Sequence, residues 1–248
     1  MSAAERSRYP VFVSYYTPGT HYEQLANGLR ASLDRLGLDH HIAGLPTRGN
    51  WVANCAQKAE FVRDVWHQMD RPICWVDADA VLRRRPKLLR DFDADMGVVV
   101  RKGHRFFGGQ VAFGRSEIAG HMVDRWAEYA VRYPTVWDQV TLGYVWWDQL
   151  VETGAEVEFW PGSIMTKGEK NPLYAALQKL FMPGAFFHAQ ESRRSRDSVD
   201  NRRVRPPDAP EFTSNDLPHW WAEAYHARAP FPLSAAQREE LGLIEVKR

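Results

Sequence analysis

Two carboxylates, Asp77 and Asp79, follow directly on the apolar run Ile73-Cys74-Trp75-Val76. On an extended chain, positions i and i+2 face the same side, so both can address one cation. Hard oxygen ligands of this kind suit Mg²⁺ or Mn²⁺, which combine a few carboxylates with phosphate oxygens and water. A cation held there can grip a nucleotide diphosphate and offset the charge that grows as it leaves. The simpler alternative is that both aspartates only cap the turn ahead of Pro86.

The elements around this pair bear on the choice. Val11-Phe12-Val13-Ser14-Tyr15-Tyr16 has the composition of a buried strand, stopped by Thr17-Pro18-Gly19. Tyr22, Leu25, Leu29, Leu33 and Leu36 then recur at helical spacing, with Gly37 as the stop. A short strand is expected through His41-Ile42-Ala43. Asn50 is placed to cap a second helix whose buried stripe is Val52, Cys55, Ala59, Val62, Trp66 and Met69. Pro72 opens the apolar run before Asp77, which has the unbroken character of a central strand. The alternation of strand and helix favours a mainly parallel sheet covered by helices. In such sheets ligands bind at the carboxyl ends of the strands, where Asp77 and Asp79 stand.

Further along, Met96 to Val100 is a strand, and Phe106 to Phe113 reads as a loop running into a strand. Ser116 can cap a helix carrying Ile118, Met122, Trp126 and Tyr129 on one face. Another helix covers Asp138 to Val151, and Val157 to Trp160 is a strand stopped by Pro161. An apolar stretch from Phe181 to Phe187 ends at His188. Arg193 to Pro210, rich in arginine, aspartate, serine and proline, reads as a loop or tail, with a short helix near Trp220 to His226. No internal repeat is evident.

Composition narrows the class. A chain of 248 residues is long enough for one full α/β core with a tail. Lysine plus arginine, 32, nearly balance aspartate plus glutamate, 31, so bulk charge selects no partner. No stretch approaches the roughly 20 apolar residues that cross a bilayer, and the polar start lacks the apolar segment of a signal peptide. With only Cys55 and Cys74, at no metal-type spacing, the expectation is reduced thiols and a cytoplasmic setting. Ten tryptophans are many for this length and suit a sugar ligand, whose faces stack on flat rings.

The strand followed by Asp77-x-Asp79-x-Val81 also fits the nucleophile strand of haloacid-dehalogenase-type phosphatases, with the first aspartate attacking phosphorus. That motif normally opens its domain, whereas about 70 residues and two helices precede it here. The downstream acidic pair that those enzymes use for magnesium is missing. A binding module that keeps the fold without catalysis is a further alternative.

Tyr15-Tyr16-Thr17-Pro18-Gly19-Thr20, Gly49-Asn50-Trp51, Lys58-Ala59-x-Phe61 and Trp75-Val76-Asp77-Ala78-Asp79-Ala80 together resemble the nucleotide-diphospho-sugar glycosyltransferases of the GT-A type. The resemblance spans approximately residues 10 to 190, and the DxD strand is its most specific element. It implies a Rossmann-related sandwich, a central, mostly parallel sheet flanked by helices, over residues 1–190. Residues 191–248 would form a basic loop and C-terminal extension of the same domain. It also implies a UDP-sugar or related donor contacted by Tyr16, Thr17 and Lys58, and Mn²⁺ or Mg²⁺ on Asp77 and Asp79. His188 matches the late histidine that completes the metal site in many such enzymes. Gly108-Gly109-Gln110 resembles the glycine-bearing turn lining the sugar and acceptor pocket, where backbone must approach closely.

Asp138-Gln139-x-x-Leu142 resembles the helix-borne segment whose carboxylate faces the reacting sugar carbon. Asp148-Gln149 repeats the pair ten residues on. Asp138 is preferred for its spacing to Trp160-Pro161 and its place at a helix start, where a negative charge is favoured in any case. Arg193 or Arg194 could close on the diphosphate, since guanidinium matches phosphate bidentately. The acceptor is left between a small molecule or glycan and, given the arginines from Arg193 to Arg205, a phosphate backbone. The second case would be the transfer of sugar to hydroxymethylated pyrimidines in DNA, as some similar transferases perform on phage genomes.

Overall fold

The apolar residues of the central strands alternate between two faces, and this decides the architecture. Val11, Val13, Ile73, Trp75, Met96, Val98, Val111 and Phe113 belong to one buried cluster. Phe12, Cys74, Val76, Val99 and Ala112 belong to a second cluster on the opposite face. A sheet buried on both sides needs a layer on each. The computed structural model describes residues 2–49, 51–100, 106–132, 138–167, 177 and 184–189.

After a four-residue turn of helix, α1 (Ala3–Arg6), the chain runs β1 (Val11–Tyr16), α2 (His21–Leu36), β2 (His40–Gly44), α3 (Trp51–Gln68) and β3 (Ile73–Val76). It continues through β4 (Ala80–Leu82), β5 (Met96–Val100), β6 (Phe106–Phe113), α4 (Glu117–Arg132), α5 (Asp138–Thr153), β7 (Val157–Trp160), β8 (Met165–Lys167) and β9 (Phe186–His188). Six strands form one sheet in the order β2-β1-β3-β6-β5-β7. β1 is parallel to β2 and β3, and β5 to β7, while β6 runs antiparallel to β3 and β5. The sheet is thus mostly parallel with one reversed strand, as the sequence leads one to expect. Helices α3, α4 and α5 contribute to the first cluster, α2 and the small second sheet to the other.

Local chemistry fixes the helix ends. Thr20 caps α2 by accepting from the Tyr22 amide, and Gly37 ends it in the left-handed region at φ 65°, donating to Asp34. Ser116 caps α4 through the Ala119 amide at 2.9 Å, as its sequence position suggests. The expected cap of α3, Asn50, lies outside the described residues, as do the predicted helix near Trp220 to His226 and everything from residue 190 on. Among the described residues, no helix is long and apolar enough to cross a membrane.

Two findings correct the sequence expectation. The stretch after Asp79, read as polar, contains β4, which pairs antiparallel with β9, and β8 joins them in a three-stranded sheet. Strands of three residues are too short to show a period. The other correction concerns Gly108-Gly109-Gln110, expected as a turn, which lies inside β6. Val98 pairs with Val111 and Val99 with Phe107, so the three intervening residues bulge out of the β5 ladder. On the other side Gln110 still pairs with Val76 of β3. A bulge re-aims side chains without ending the strand, which a run of small residues alone does not distinguish from a turn.

Candidate metal site at the carboxyl end of the central strand

β3 carries the chain to Asp77, and two backbone bonds hold the turn that follows. The Asp77 amide donates to Gly109 O at 2.9 Å, and the Ala80 amide to Asp77 O at 3.0 Å. The chain then enters β4, where Ala80 pairs with His188 of β9. The Ala189 amide donates to Asp79 O at 3.1 Å and fixes the same register. Residues more than a hundred positions apart are thus joined by backbone.

Asp77, Asp79 and His188 each present one ligand atom within 4.8 Å of the others. His188 Nδ1 is 3.9 Å from Asp79 Oδ1, too far for a hydrogen bond. A cation at about 2.0–2.6 Å from each ligand, the range for Mg²⁺ and Ca²⁺, would span that gap. His188 is buried, yet its Nδ1 has no hydrogen-bond partner. Buried polar atoms without partners are rare and call for an explanation such as an ion. Two carboxylates and one imidazole nitrogen without a hydrogen-bond partner therefore fit a divalent cation.

Beside this cluster sits a buried ammonium. Lys58, on the inward side of α3, donates to Asp138 Oδ2 at 2.6 Å and to Gly108 O at 3.1 Å, and pairs with Asp77 Oδ1 at 3.0 Å. Trp75 Nε1 donates to the same Asp77 oxygen at 2.9 Å, and the Lys58 ammonium lies 5.0 Å over the Trp75 ring. Lys58 thus makes two hydrogen bonds and one further ion pair, to three separate partners. Burial alone would lower its pKa, but Asp138 and Asp77 more than reverse this and hold it charged. Burial likewise pushes the Asp138 carboxyl up from its usual range, against the pull of Lys58. Trp75 is braced in turn by Tyr15, whose ring centre is 5.3 Å away and whose hydroxyl donates to Asn54 O.

The structure thus brings together most of the residues singled out in the sequence. Asp77, Asp79 and His188 form one cluster, and Lys58, Gly108 and Asp138 adjoin it through Asp77. Gly109 and Gln110 adjoin it through His188, whose Nε2 is 2.6 Å from Gln110 Oε1. Tyr16 and Thr17 lie at the carboxyl end of β1, on the same edge of the sheet. Their contacts shown here lie elsewhere: the Tyr16 ring faces Gly44, and the Thr17 carbonyl accepts from Thr20 Oγ1. Arg193 and Arg194 lie outside the described residues. The sequence reading placed Trp75 in the apolar strand and the DxD segment without a role of its own, although its position two residues before Asp77 puts both side chains on one side of the strand.

Gly108 and Gly109 leave no room for a side chain. A Cβ on Gly108 would sit 2.9 Å from Asp138 Oδ2, and one on Gly109 would sit 2.4 Å from the Phe107 ring and 3.0 Å from His188 Cε1. Gly109→Ala is therefore expected to destabilise the fold by about 1–3 kcal/mol, as overpacking does. It should also weaken Mn²⁺ binding, because relief requires Phe107 or His188 to move. Thermal melts with and without Mn²⁺ check both effects, and an unchanged melt would show that the bulge adapts freely.

A search for similar solved structures adds an independent finding. The crystal structure of a glycosyltransferase involved in the glycosylation of the major capsid of PBCV-1 matches with a TM-score of 0.57 at 13% sequence identity. The match covers 77% of this chain and 98% of that one. The chain has a glycosyltransferase fold. No family model and no curated protein matches the sequence. At this identity the likeness speaks for the fold, and the chemistry rests on the residues at the strand end.

Proposed function

We propose that the protein is a metal-dependent glycosyltransferase that moves a sugar from a nucleotide-diphospho-sugar to a hydroxyl acceptor. The observation that carries this reading is the convergence of Asp77, Asp79 and the partnerless His188 Nδ1 at the carboxyl end of β3, on a glycosyltransferase fold. These three residues would hold Mn²⁺ or Mg²⁺. When bound, such a cation neutralises charge on the departing diphosphate. The phosphatase alternative is disfavoured because β3 follows two earlier strands of the same sheet, instead of opening the domain.

The chain's own residues take the following parts in this reading. Tyr16 and Thr17, at the end of the neighbouring strand, contact the nucleoside, with a UDP-sugar as the favoured donor. Gly108 and Gly109 let backbone approach the sugar. Lys58, assigned to donor contact from the sequence, is buried against Asp138, Gly108 and Asp77. We read it as the holder of Asp77 and Asp138. Asp138 is the carboxylate offered to the reacting sugar, positioned by that ammonium. Arg193, from the segment 191–248, closes on the diphosphate. The acceptor is a small molecule or glycan, and the arginines beyond residue 190 keep hydroxymethylated bases in DNA as the second candidate.

The test is to incubate the protein with a panel of nucleotide sugars and Mn²⁺ and to measure released nucleoside diphosphate. Release from one donor class, abolished by chelator, is the expected result. No release from any donor, with or without acceptors, would leave a binding module as the better account. Salt-sensitive binding to DNA carrying hydroxymethylated bases, and sugar transfer to it, would select the nucleic-acid acceptor.

A further inference from the structure

We infer that Gln110 is a positioning residue for the cation, fixing His188 in the tautomer whose Nδ1 lone pair faces Asp79. The inference rests on the metal-site reading above and deepens it. His188 Nε2 lies 2.6 Å from Gln110 Oε1, and both side chains are buried. A carboxamide oxygen only accepts, so this contact requires the proton on Nε2 and leaves Nδ1 with its lone pair. The surroundings of Nδ1 agree independently. It has no hydrogen-bond partner, and the nearest ionised group, Asp79 Oδ1, stands at 3.9 Å. An N–H at that position would be a buried donor with nothing to donate to, whereas a lone pair there is a ligand awaiting a cation.

The rest of the packing fixes the ring orientation. Phe107 meets the imidazole edge-on at 5.0 Å and 87°, and Phe186 lies roughly parallel at 6.5 Å and 25°. Gly109 removes the Cβ that would press on Cε1. Gln110 is itself held by its pairing with Val76, and sits in the bulge that separates β6 from β5. Bulges of this kind re-aim side chains without ending the strand. The Gln110 amide nitrogen is buried without a partner, so the carboxamide's one engaged atom is the oxygen facing His188. Partners of this kind set ring orientation and ligand basicity at metal sites, and their loss costs about 10–100-fold in metal affinity or activity.

Two measurements on the whole protein test this role. Nitrogen-15 NMR of histidine-labelled, metal-free protein, with His188 assigned by its loss in His188→Asn, reads the tautomer in the wild type. The expected spectrum shows a protonated Nε2 and an unprotonated Nδ1, and the reverse would overturn the inference. Mn²⁺ titration followed by electron paramagnetic resonance then compares wild type, Gln110→Met, Gln110→Leu and Gln110→Glu, in the absence of any nucleotide sugar. The two apolar variants should bind Mn²⁺ about 10–100-fold more weakly, and Gln110→Glu, which still accepts from Nε2, should stay near the wild type. Unchanged Mn²⁺ binding in a folded Gln110→Met or Gln110→Leu contradicts the role of Gln110 alone. Absence of Mn²⁺ binding in the wild type contradicts the metal site itself, and this role with it.

Discussion

Asp79→Asn should lower sugar transfer by about 10²- to 10³-fold, the scale for removing one preorganised electrostatic group from a reaction centre. Excess chelator should abolish turnover, and Mn²⁺ or Mg²⁺ should restore it in the wild type. The substitution keeps the shape of the side chain but removes a charge that faces His188 across a gap wide enough for a cation. The Asp79 backbone, which accepts from Ala189, is untouched, so the β4–β9 register and the melting temperature of the metal-free protein should hold. Measured together, initial rates and thermal melts separate loss of the cation from loss of the fold. Full turnover in chelator would remove the basis for any role of the aspartate pair in holding metal.

Lys58→Met should be the most destabilising single change near the site. It leaves Asp77 and Asp138 without the ammonium that both of them contact. Lys58 and Asp138 are both buried, with side-chain exposures of 8% and 11%, so solvent screens this pair only weakly. Breaking a buried pair by removing one partner costs about 3–5 kcal/mol, because the other charge is left uncompensated. For a chain of this size each kcal/mol corresponds to about 2–4 °C in melting temperature. The double variant Lys58→Met with Asp138→Asn should regain part of the loss, since the stranded carboxylate is gone. A melt of Lys58→Met within about 2 °C of the wild type would mean that the pair is not buried in solution. Asp138→Asn alone separates its two parts: a loss of transfer with donor binding intact supports the catalytic carboxylate, whereas equal losses in both point to Lys58 positioning alone.

The sequence made some of this arrangement readable and hid the rest, for identifiable reasons. Asp77 and Asp79 stood out because an unbroken apolar run delivers them, and β3 is indeed buried along its whole length. Gly37 and Ser116 announced helix ends because capping is a local matter of one side chain or one backbone angle. His188 is different. Its place beside Asp79 depends on pairing between β4 and β9, two three-residue strands far apart in sequence, and only the resemblance to known transferases pointed to it. Lys58 carried a signal that the resemblance obscured. It falls on the inward stripe of α3 with Ala59, Val62 and Trp66, and a lysine facing inward must find carboxylates. Which carboxylates those were, Asp77 and Asp138, could not be read locally. The bulge at Gly108 to Gln110 looked like a turn because glycines permit both.

The central claim is that Asp77, Asp79 and His188 hold a divalent cation that in turn holds the donor's diphosphate. Diffraction from crystals grown with Mn²⁺ and a nucleoside diphosphate, collected where manganese scatters anomalously, tests it most directly. The account predicts one anomalous peak within coordination distance of both carboxylates and of His188 Nδ1, bridged to the diphosphate oxygens. A diphosphate bound elsewhere, or bound here with no manganese between it and the three side chains, would contradict it.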